Sequence, residues 1–350
     1  MKCDGLCRVG WSRLFGVMIL AAGAVLCVPG SWSAEKSSTP AKPIPVILDT
    51  DIGDDIDDTW ALGLLLKCPE LDVKLVLGDY GRAQYRAKLL AKFLQTAGRT
   101  DVPVGIGLDI APRGEGPQGA WVKDYDLSSY PGKVYPDGVQ ALIDIIMSSK
   151  EPVVLIAIGP LPNVAAALER QPQIAQRARF VGMHGSVHRG YGGSSTPAAE
   201  WNVKADPKSC QKVFAAPWDI TITPLDTCGL VTLDGDRYRR VRDAQNPVPS
   251  AIIANYRIWS RHNNPTNDVA ERRSSVLFDT VAVYLAISQD FCRMERLGLR
   301  VTDQGFTVPD DSARVVTAAL EWKNLDAFRD WLVQRLTTKP QPHPASKSGR

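Results

Sequence analysis

The sequence has few of the residues that build thiol or imidazole metal sites. Its 350 residues include four histidines and seven cysteines, with no CxxC pair. None of the spacings typical of a zinc site occurs, so a zinc centre is not expected. Four cysteines follow residue 33, and we interpret them as small buried apolar residues, with one disulfide left open: Cys68, Cys210, Cys228 and Cys292.

The chain also lacks a strong charge of either sign. Its formal net charge is +3, and the basic residues are scattered without an aromatic–basic stripe. Nucleic acid is therefore not an expected partner. The hydrophobic content of 44% and the charged content of 23% are ordinary for a globular protein, and the chain is long enough for a large core.

A long apolar run stands at the N-terminus. Lys2, Arg8 and Arg13 precede the run, which spans residues 14–28 and reads "LFGVMILAAGAVLCV". Small residues follow, and cleavage after Ser33 would suit them. This order of a basic segment, an apolar segment and small residues predicts a secretory signal peptide.

The predicted signal peptide covers residues 1–33, and a polar linker covers residues 34–43. An uncleaved membrane anchor is the less favoured alternative, because the run is short for a bilayer span. A lipoprotein site at Cys27 is also disfavoured, because Leu26 stands where a small residue is preferred. The mature protein is expected to be secreted or periplasmic, with no membrane segment. Residues 338–350 are expected to form a disordered tail.

Between these ends, apolar strand-like segments alternate with helix-like segments. The first strand-like segments are "IPVILD", "DVKLVLGD", "VPVGIG", "PVVLIAIG", "RFVGMHG" and "DITITPL". The helix-like segments between them are "DDTWALGLLLKC", "YRAKLLAKFLQTAG", "GVQALIDIIMSS", "LPNVAAALERQP" and "DPKSCQKVFAAP". This alternation predicts an α/β fold with an open, mostly parallel sheet flanked by helices.

The second half is less regular. "PSAIIANYRIWSRHN", "VLFDTVAVYLAIS" and "LDAFRDWLVQRL" are helix-like, while "LRVTDQGFTV" and "RVVTAAL" predict a terminal pair of strands. The whole domain is expected to span residues 44–337. Two long polar stretches, residues 108–137 and 185–196, are candidate active-site loops.

Aspartates crowd the end of the first predicted strand. The stretch "VILDTDIGDDIDDTWAL" contains Asp49, Asp51, Asp54, Asp55, Asp57 and Asp58. Ligands of an open parallel sheet bind at the carboxyl ends of its strands. Several carboxylates there suit Ca²⁺ or Mg²⁺, which prefer oxygen ligands. The simpler alternative, capping of the following helix by Asp54, Asp55 or Asp57, explains only some of them.

This stretch resembles the amino-terminal signature DxDxGxDD of the nucleoside hydrolases, the inosine-uridine type of ribohydrolase. Further segments resemble the family in the same order: "LIAIGPLPNVAAAL", "FVGMHGSVHRGYGGSSTPAAEWNVKADPKSC", "DITITPLDTC" and "SSVLFDTVAVYLA". The resemblance extends from Val46 to about Ser288. It implies a nucleoside hydrolase-like, Rossmann-like fold that hydrolyses the N-glycosidic bond of a nucleoside or related N-riboside, giving base and ribose. Family members are commonly dimers or tetramers, which leaves homo-oligomerisation open.

The resemblance also implies one Ca²⁺ ion that holds the ribose 2′- and 3′-hydroxyls and a water. Asp51 matches the metal-binding aspartate that accepts the proton of that water. Ile158 matches a position that binds the metal through its backbone carbonyl, and Asp279 matches the distal metal-binding aspartate.

The segment "GDDIDD" is two residues longer than the usual "GxDD". Asp58 is favoured as a metal ligand, and Asp55 or Asp57 as a ribose ligand.

Other positions match the family's sugar contacts. Glu200 and Asn202 match the pair that binds the ribose hydroxyls, and Asp79 stands in the "GN" segment where Asn is usual. We interpret Asp49 as a buried structural acid.

The chain departs from the family at the leaving group. Phe278 stands where many members have the histidine that helps to protonate the base. The remaining candidate acids are His184, His188 and His262. Aromatic stacking is the other route that the resemblance implies, with Trp201 as the candidate we favour beside Trp121, Tyr80 and Trp259.

Two competing hypotheses remain at this point. A sugar-binding protein that keeps the metal site but has lost cleavage is motivated by Phe278 and Asp79. An aspartyl phosphatase is suggested by "DTD" after a strand, but Gly53 stands where the DxDxT motif of such enzymes requires Thr.

Overall fold

A computed structural model describes residues 42–110, 114–266 and 268–339. The predicted signal peptide lies outside the described residues, as do most of the linker and of the C-terminal tail. The first strand begins at Ile44 and the last helix ends at Thr337. These bounds coincide with the domain expected at residues 44–337, although the division of the chain itself stays a prediction.

The described residues contain one mixed sheet. Its strands are β1 (Ile44–Thr50), β2 (Leu71–Gly78), β3 (Val104–Gly105), β4 (Val134–Tyr135), β5 (Val153–Ala157), β6 (Ala178–Met183), β7 (Ile220–Thr223), β8 (Cys292–Val301), β9 (Thr307–Pro309) and β10 (Val315–Trp322). Their order across the sheet is β4-β3-β2-β1-β5-β6-β7-β10-β8-β9.

Helices connect and cover these strands. They are α1 (Asp57–Leu66), α2 (Ala83–Thr96), α3 (Gly119–Val122), α4 (Gly138–Ser148), α5 (Pro162–Arg170), α6 (Trp201–Ala205), α7 (Pro207–Ala215), α8 (Leu225–Cys228), α9 (Gly235–Arg242), α10 (Pro247–Asn263), α11 (Val269–Arg272), α12 (Thr280–Leu285) and α13 (Leu325–Thr337). None of the helices in the described ranges is long and apolar enough to cross a membrane.

The sheet is parallel from β4 to β10, and β8 and β9 add an antiparallel edge. The predicted α/β class with an open, mostly parallel sheet is therefore confirmed. Strand β1 is central and pairs with β2 on one side and β5 on the other. The chain first builds outward through β2, β3 and β4, and then returns to build from β5 in the other direction. The carboxyl ends of β1 and β5 thus form the switch point where such sheets bind ligands.

Apolar side chains cover both faces of the sheet. On β1, Val46 and Leu48 belong to one cluster with residues of α1, α2, α10 and α12, whereas Ile47 belongs to a second cluster with residues of α4, α5 and α7. Strands buried on both faces need continuous apolar runs, which is why β1, β2, β5 and β6 could be predicted. The four cysteines beyond residue 33 are buried and free, as the apolar interpretation expects.

The structure differs from the predicted elements at the antiparallel edge and before α12. Strand β8 begins at Cys292, earlier than predicted. The prediction missed this start because several of its side chains face solvent and its sequence carries no apolar run. Helix α12 begins only at Thr280, so residues 276–279 are non-helical and bring Asp279 to the helix N-terminus. The stretch 108–137 is also less irregular than expected, since it contains α3, a 3₁₀ turn and β4.

Candidate active site

The loop after β1 is tied to the first turn of α1. The Thr50 hydroxyl donates to Asp58 Oδ1 at 2.5 Å and accepts a hydrogen bond from the Ile52 amide at 3.1 Å. Asp57 and Asp58 occupy the first turn of α1, where the free amides and the helix dipole favour carboxylates. One hydroxyl therefore fixes the acidic helix start against the end of the central strand.

Three carboxylates converge beside this loop. Asp57, Asp58 and Asp279 each offer one oxygen, and these oxygens lie within 4.8 Å of one another. All three side chains are buried. Burial raises the pKa of each carboxyl well above its usual value, and the charges of neighbouring carboxylates raise it further. We call these three residues the acid cluster.

Asp51 follows β1 directly and is coupled electrostatically to the acid cluster. Its carboxylate is among the charges that raise the pKa of each of the three cluster acids. Burial raises the pKa of Asp51 to about 6, although Arg86 opposes the shift. A carboxyl with this pKa ionises slightly below neutrality, which suits a proton acceptor at physiological pH.

The acid cluster fits a divalent cation that prefers oxygen ligands. Its members are close and buried, and burial together with the charge of neighbouring carboxylates disfavours their ionisation, which a bound cation would offset. Carboxylates of this number and hardness are typical ligands of Ca²⁺ and Mg²⁺. The Ile158 carbonyl already accepts a hydrogen bond from Asn202 Nδ2 at 3.1 Å, and its second lone pair leaves it able to bind a cation as well.

Asp55 lies apart from the acid cluster. Its side chain is exposed, and its Oδ1 accepts a hydrogen bond from the Ile56 amide at 2.7 Å. Desolvation still raises its pKa, and the charge of Asp54 adds to the shift. The structure thus brings the pair in the first turn of α1, Asp57 and Asp58, to Asp279, and leaves Asp55 outside. Which of them binds ribose stays a prediction.

A buried arginine that sequence analysis missed supports this loop. Arg86 of α2 is fully buried and uses all five of its N–H groups. They donate to the Asp54 carboxylate and to the backbone carbonyls of Asp51, Ile52, Tyr80 and Gly81. Burial alone would lower the Arg86 pKa, but the carboxylates of Asp51 and Asp54 outweigh it and raise the pKa.

The sequence did carry one signal for Arg86. It stands at helical spacing from Leu90 and Phe93, on the face of α2 that enters the core. A charged residue in such an apolar stripe needs a buried partner. The carboxylates after β1 supply the partner.

Asn163, at the end of the "GPLPN" segment, is a second residue that sequence analysis did not single out. Its amide nitrogen donates to Asp49 Oδ1 and to the Gly78 carbonyl, both at 2.9 Å. Its oxygen accepts from the Leu108 amide at 2.9 Å. Asn163 thereby joins the ends of β1 and β2, and Asp49 has the buried position expected of a structural acid. Burial raises the Asp49 pKa to about 7.

Asp79 lies beneath the site rather than at its surface. Both of its carboxylate oxygens are buried without a hydrogen-bond partner. Burial raises its pKa well above the usual value, the charges of Asp49 and Asp51 add to the shift, and the nearby Tyr80 amide offsets only part of it. The predicted ribose contact of Asp79 stays a prediction.

Glu200 caps the N-terminus of α6. Its Oε1 accepts from the Asn202 amide at 2.8 Å, and its Oε2 accepts from the Gly185 amide at 3.0 Å. Burial raises its pKa to about 7. The Asn202 side chain donates to the carbonyls of both Ile158 and Met183. Both predicted ribose ligands are thus fixed at the carboxyl ends of β5 and β6.

Three aromatic residues lie beside these groups. Trp201 is 50% exposed and Tyr191 is 46% exposed. The rings of Tyr191 and Phe278 meet edge to face with centroids 6.2 Å apart. Phe278 precedes Asp279 and Trp201 follows Glu200, so these rings border the predicted metal and sugar ligands.

The other aromatic candidates make structural contacts. Trp121 packs against Phe93, and the Trp259 indole donates to the Asp54 carbonyl at 3.0 Å. The Tyr80 hydroxyl donates to the Ala205 carbonyl at 3.1 Å, from a residue whose φ of +55° places it in the left-handed region. Each of these contacts explains the residue without a bound base.

Within the described ranges, the histidines offer no evident acid for a leaving group. His184 is fully buried against Phe180 and Phe214, and its Nε2 contacts the Gly159 carbonyl at 3.0 Å. Burial lowers its pKa to about 4, so the ring is neutral at physiological pH. His188 and His262 are exposed.

Comparison with known proteins shows the family that the chain resembles. The family model described as inosine-uridine preferring nucleoside hydrolase matches residues 46–334. The chain is 30% identical over 271 residues to the pyrimidine-specific ribonucleoside hydrolase RihA of Enterobacter sp. (strain 638), which covers 70% of this chain and 83% of that protein.

Solved structures show the same fold. The plant nucleoside hydrolase PpNRh1 superposes with a TM-score of 0.71 at 20% identity, over 85% of this chain and 100% of that one. The purine-preferring ribonucleoside hydrolase from Gardnerella vaginalis superposes with a TM-score of 0.70 at 21% identity, over 84% of this chain and 98% of that one.

Proposed function

Because the chain belongs to the inosine-uridine preferring nucleoside hydrolase family and is a hydrolase acting on N-glycosyl bonds, we propose that it cleaves ribonucleosides in a calcium-dependent reaction. The products are a free base and ribose. The observation that carries the proposal is the convergence of Asp57, Asp58 and Asp279 at the switch point of the sheet.

The residues present suit the chemistry of this reaction. Breaking an N-glycosidic bond builds positive charge on the sugar, as in the hydrolysis of O-glycosides, and nearby carboxylates stabilise that charge. When bound, Ca²⁺ lowers the pKa of a water and orients vicinal hydroxyls. Asp51 accepts the proton of the attacking water. Asp58, Asp279 and the Ile158 carbonyl hold the ion together with Asp51.

The ribose is held by groups around this centre. Asp57 is the carboxylate of the cluster that we assign to the ribose hydroxyls, and Asn202 and Glu200 approach the sugar from the ends of β5 and β6. Trp201 offers an exposed ring to the base. Relatives named as pyrimidine-specific and as purine-preferring both occur, so a panel of both classes is needed to identify the base.

A nucleoside panel tests the proposal. The purified protein is freed of metal, supplied with Ca²⁺ and incubated with purine and pyrimidine ribonucleosides, and reducing sugar is assayed. We expect ribose release that requires Ca²⁺ and that falls at least ~10²-fold in Asp51→Asn, because the proton acceptor is lost. Asp236→Asn, at an exposed surface carboxylate, is the matched control and should retain the wild-type rate.

One observation favours a second candidate, a protein that binds nucleosides without cleaving them. Phe278 cannot protonate a leaving base, and the described histidines are either buried with a lowered pKa, as His184 is, or exposed. Equilibrium dialysis of the same panel separates the two functions. Ca²⁺-dependent binding without ribose release from any nucleoside would support the second candidate and overturn hydrolysis.

We also propose that the leader directs export of the protein. Its basic, apolar and small-residue segments support this localisation. Expression of the full chain in a Gram-negative host, followed by fractionation and N-terminal sequencing, tests it. A periplasmic or secreted product that begins at Ala34 is expected, whereas an unprocessed chain in the cytoplasm would contradict export.

A further inference from the structure

Departure of a nucleoside base needs a hydrogen-bond donor near the breaking bond. The base leaves with the electron pair of the C1′–N bond, and a donor stabilises the negative charge that develops on it. Beside Asp279 the chain offers the hydrocarbon ring of Phe278, which cannot donate. The buried ring of His184 already contacts the Gly159 carbonyl and packs between phenylalanines.

Tyr191 carries a hydroxyl and lies against Phe278. Its ring contacts Phe278 at 6.2 Å between centroids with an interplanar angle of 81°. Its hydroxyl oxygen accepts a hydrogen bond from the Trp201 amide at 2.8 Å. The Tyr191 side chain therefore contacts both Phe278, which precedes Asp279, and Trp201, which follows Glu200.

The hydroxyl of Tyr191 is available as a donor. Its oxygen already accepts from Trp201, and no acceptor in the described part of the chain takes its hydrogen. Burial raises the pKa of the phenol, and the charges of Glu200 and Asp55 add to the shift. The phenol therefore stays protonated at physiological pH, with its ring still 46% exposed.

The loop around Tyr191 holds a defined turn. The Gly190 amide donates to the Ser194 carbonyl at 2.9 Å, and the Gly193 amide donates to the Gly190 carbonyl at 3.2 Å. Gly192 and Gly193 have φ values of +65° and +78°, which residues with a side chain rarely adopt. The turn presents Tyr191 toward Phe278.

We propose that the Tyr191 hydroxyl donates a hydrogen bond to the departing base, at the place where Phe278 cannot. The inference rests on the proposed function and names a leaving-group residue for it. The C1′–N bond breaks, its electron pair stays on the base, and the base takes its proton from water. Tyr191 remains a phenol throughout, so no further reactant is needed.

A pair of substrates tests this role in the Ca²⁺-loaded protein. A ribonucleoside needs help for its leaving group, whereas p-nitrophenyl β-D-ribofuranoside releases a stable phenolate without a donor. Tyr191→Phe keeps the ring and removes only the hydroxyl. We expect kcat/KM for the nucleoside to fall about 10²-fold, the usual effect of removing one such donor, and kcat/KM for the p-nitrophenyl riboside to change less than about twofold.

Two further variants sharpen the result. Tyr125→Phe removes the hydroxyl of a half-buried tyrosine that donates to Gln95, and it should leave both substrates unaffected. The double variant Tyr191→Phe/Phe278→His places an imidazole beside the lost hydroxyl. It should recover part of the nucleoside rate and add a pH dependence with a pKa near about 6.5 that the wild type lacks.

The outcomes separate the two proposals. Wild-type protein that cleaves neither substrate would overturn the proposed function and the Tyr191 role together. Wild-type protein that cleaves both, with Tyr191→Phe slowing both equally or neither, would overturn the Tyr191 role alone.

Discussion

Arg86 of α2 and Asp54 of the loop after β1 form an ion pair at 2.7 Å, while the same guanidinium binds four backbone carbonyls. The buried guanidinium of Arg86 therefore supports the loop that carries the crowded aspartates after β1. The acid cluster receives no hydrogen bond from this guanidinium, although the charge of Arg86 lowers the pKa of Asp58 in part. We expect Arg86 to stabilise the loop and a divalent cation to stabilise the cluster.

Replacing Arg86 should destabilise the fold strongly. Arg86→Met keeps most of the side-chain length but leaves four carbonyls without their donor and leaves Asp54 paired with Arg82 alone. Loss of one partner of a buried ion pair costs about 3–5 kcal/mol of unfolding free energy. Urea unfolding measures the change. Arg237→Met, which removes surface ion pairs with Asp326 and Asp330, is the control and should cost less than about 1 kcal/mol. Equal effects of the two variants would contradict the role of Arg86.

Asn163 should matter for stability although it lies outside the predicted catalytic set. Asn163→Leu is similar in size but removes two donors and one acceptor that join β1, β2 and the segment after β3. Leaving Asp49 and Gly78 unpaired should cost about 2–4 kcal/mol in thermal or urea unfolding. Asn255→Leu, whose amide bonds only within its own helix, is the control. A smaller loss at Asn163 than at Asn255 would argue against this role.

The stability of the metal-free protein should fall as the pH rises. Asp49 and Glu200 have folded-state pKa values of about 7, raised from values near 4 in the unfolded chain. Their contribution is complete below the unfolded pKa and is lost as pH rises through the folded pKa. His184, with a pKa lowered to about 4, opposes this trend between pH ~4 and ~6.5.

Thermal unfolding in the presence of a chelator between pH 5 and 8 checks whether the stability falls as the pH rises. We expect the melting temperature to fall over this range and to recover on addition of Ca²⁺ at pH 8, because the ion neutralises the ionised carboxylates. A metal-free protein that becomes steadily more stable up to pH 8 would show that the acids are not protonated in the fold.

Trp201 should affect substrate binding more than folding. Its side chain is 50% exposed, so Trp201→Ala should change the unfolding free energy by less than about 1 kcal/mol. If its ring binds the base, KM for the nucleoside should rise several-fold with little change in kcat. Trp218→Ala is a contrasting variant at a buried tryptophan, and it should mainly destabilise the protein. Unchanged KM in Trp201→Ala would remove it from the base site.

Much of the fold could be predicted because parallel strands that are buried on both faces have continuous apolar sequences. The start of strand β8 was not predicted, because the strand lies near the sheet edge and several of its side chains face solvent. The alignment of "GDDIDD" with the family signature could not be decided from the residue spacing, since two candidate pairs of aspartates fit that signature. In the structure α1 begins at Asp57. This start places Asp57 and Asp58, rather than Asp54 and Asp55, beside Asp279.

The supporting residues of the site were harder to predict than its acids. Arg86 and Asn163 act on β1 from distant parts of the chain, and contacts between sequence-distant residues leave no local pattern. Tyr191 is likewise defined only by its neighbours Phe278 and Trp201 in the folded protein. The family itself was predicted from five ordered motifs, and it is confirmed by the match over residues 46–334.

Calorimetric titration of metal-stripped protein with Ca²⁺ tests the central claim most directly. We predict one Ca²⁺ ion bound per chain by the wild type, and binding lost or weakened at least about 10-fold in both Asp58→Asn and Asp279→Asn, because each variant removes one charged ligand. Asp326→Asn, at an exposed carboxylate, should bind Ca²⁺ as the wild type does. Wild-type affinity in both cluster variants, or no Ca²⁺ binding by the wild type, would contradict a calcium site formed by these carboxylates.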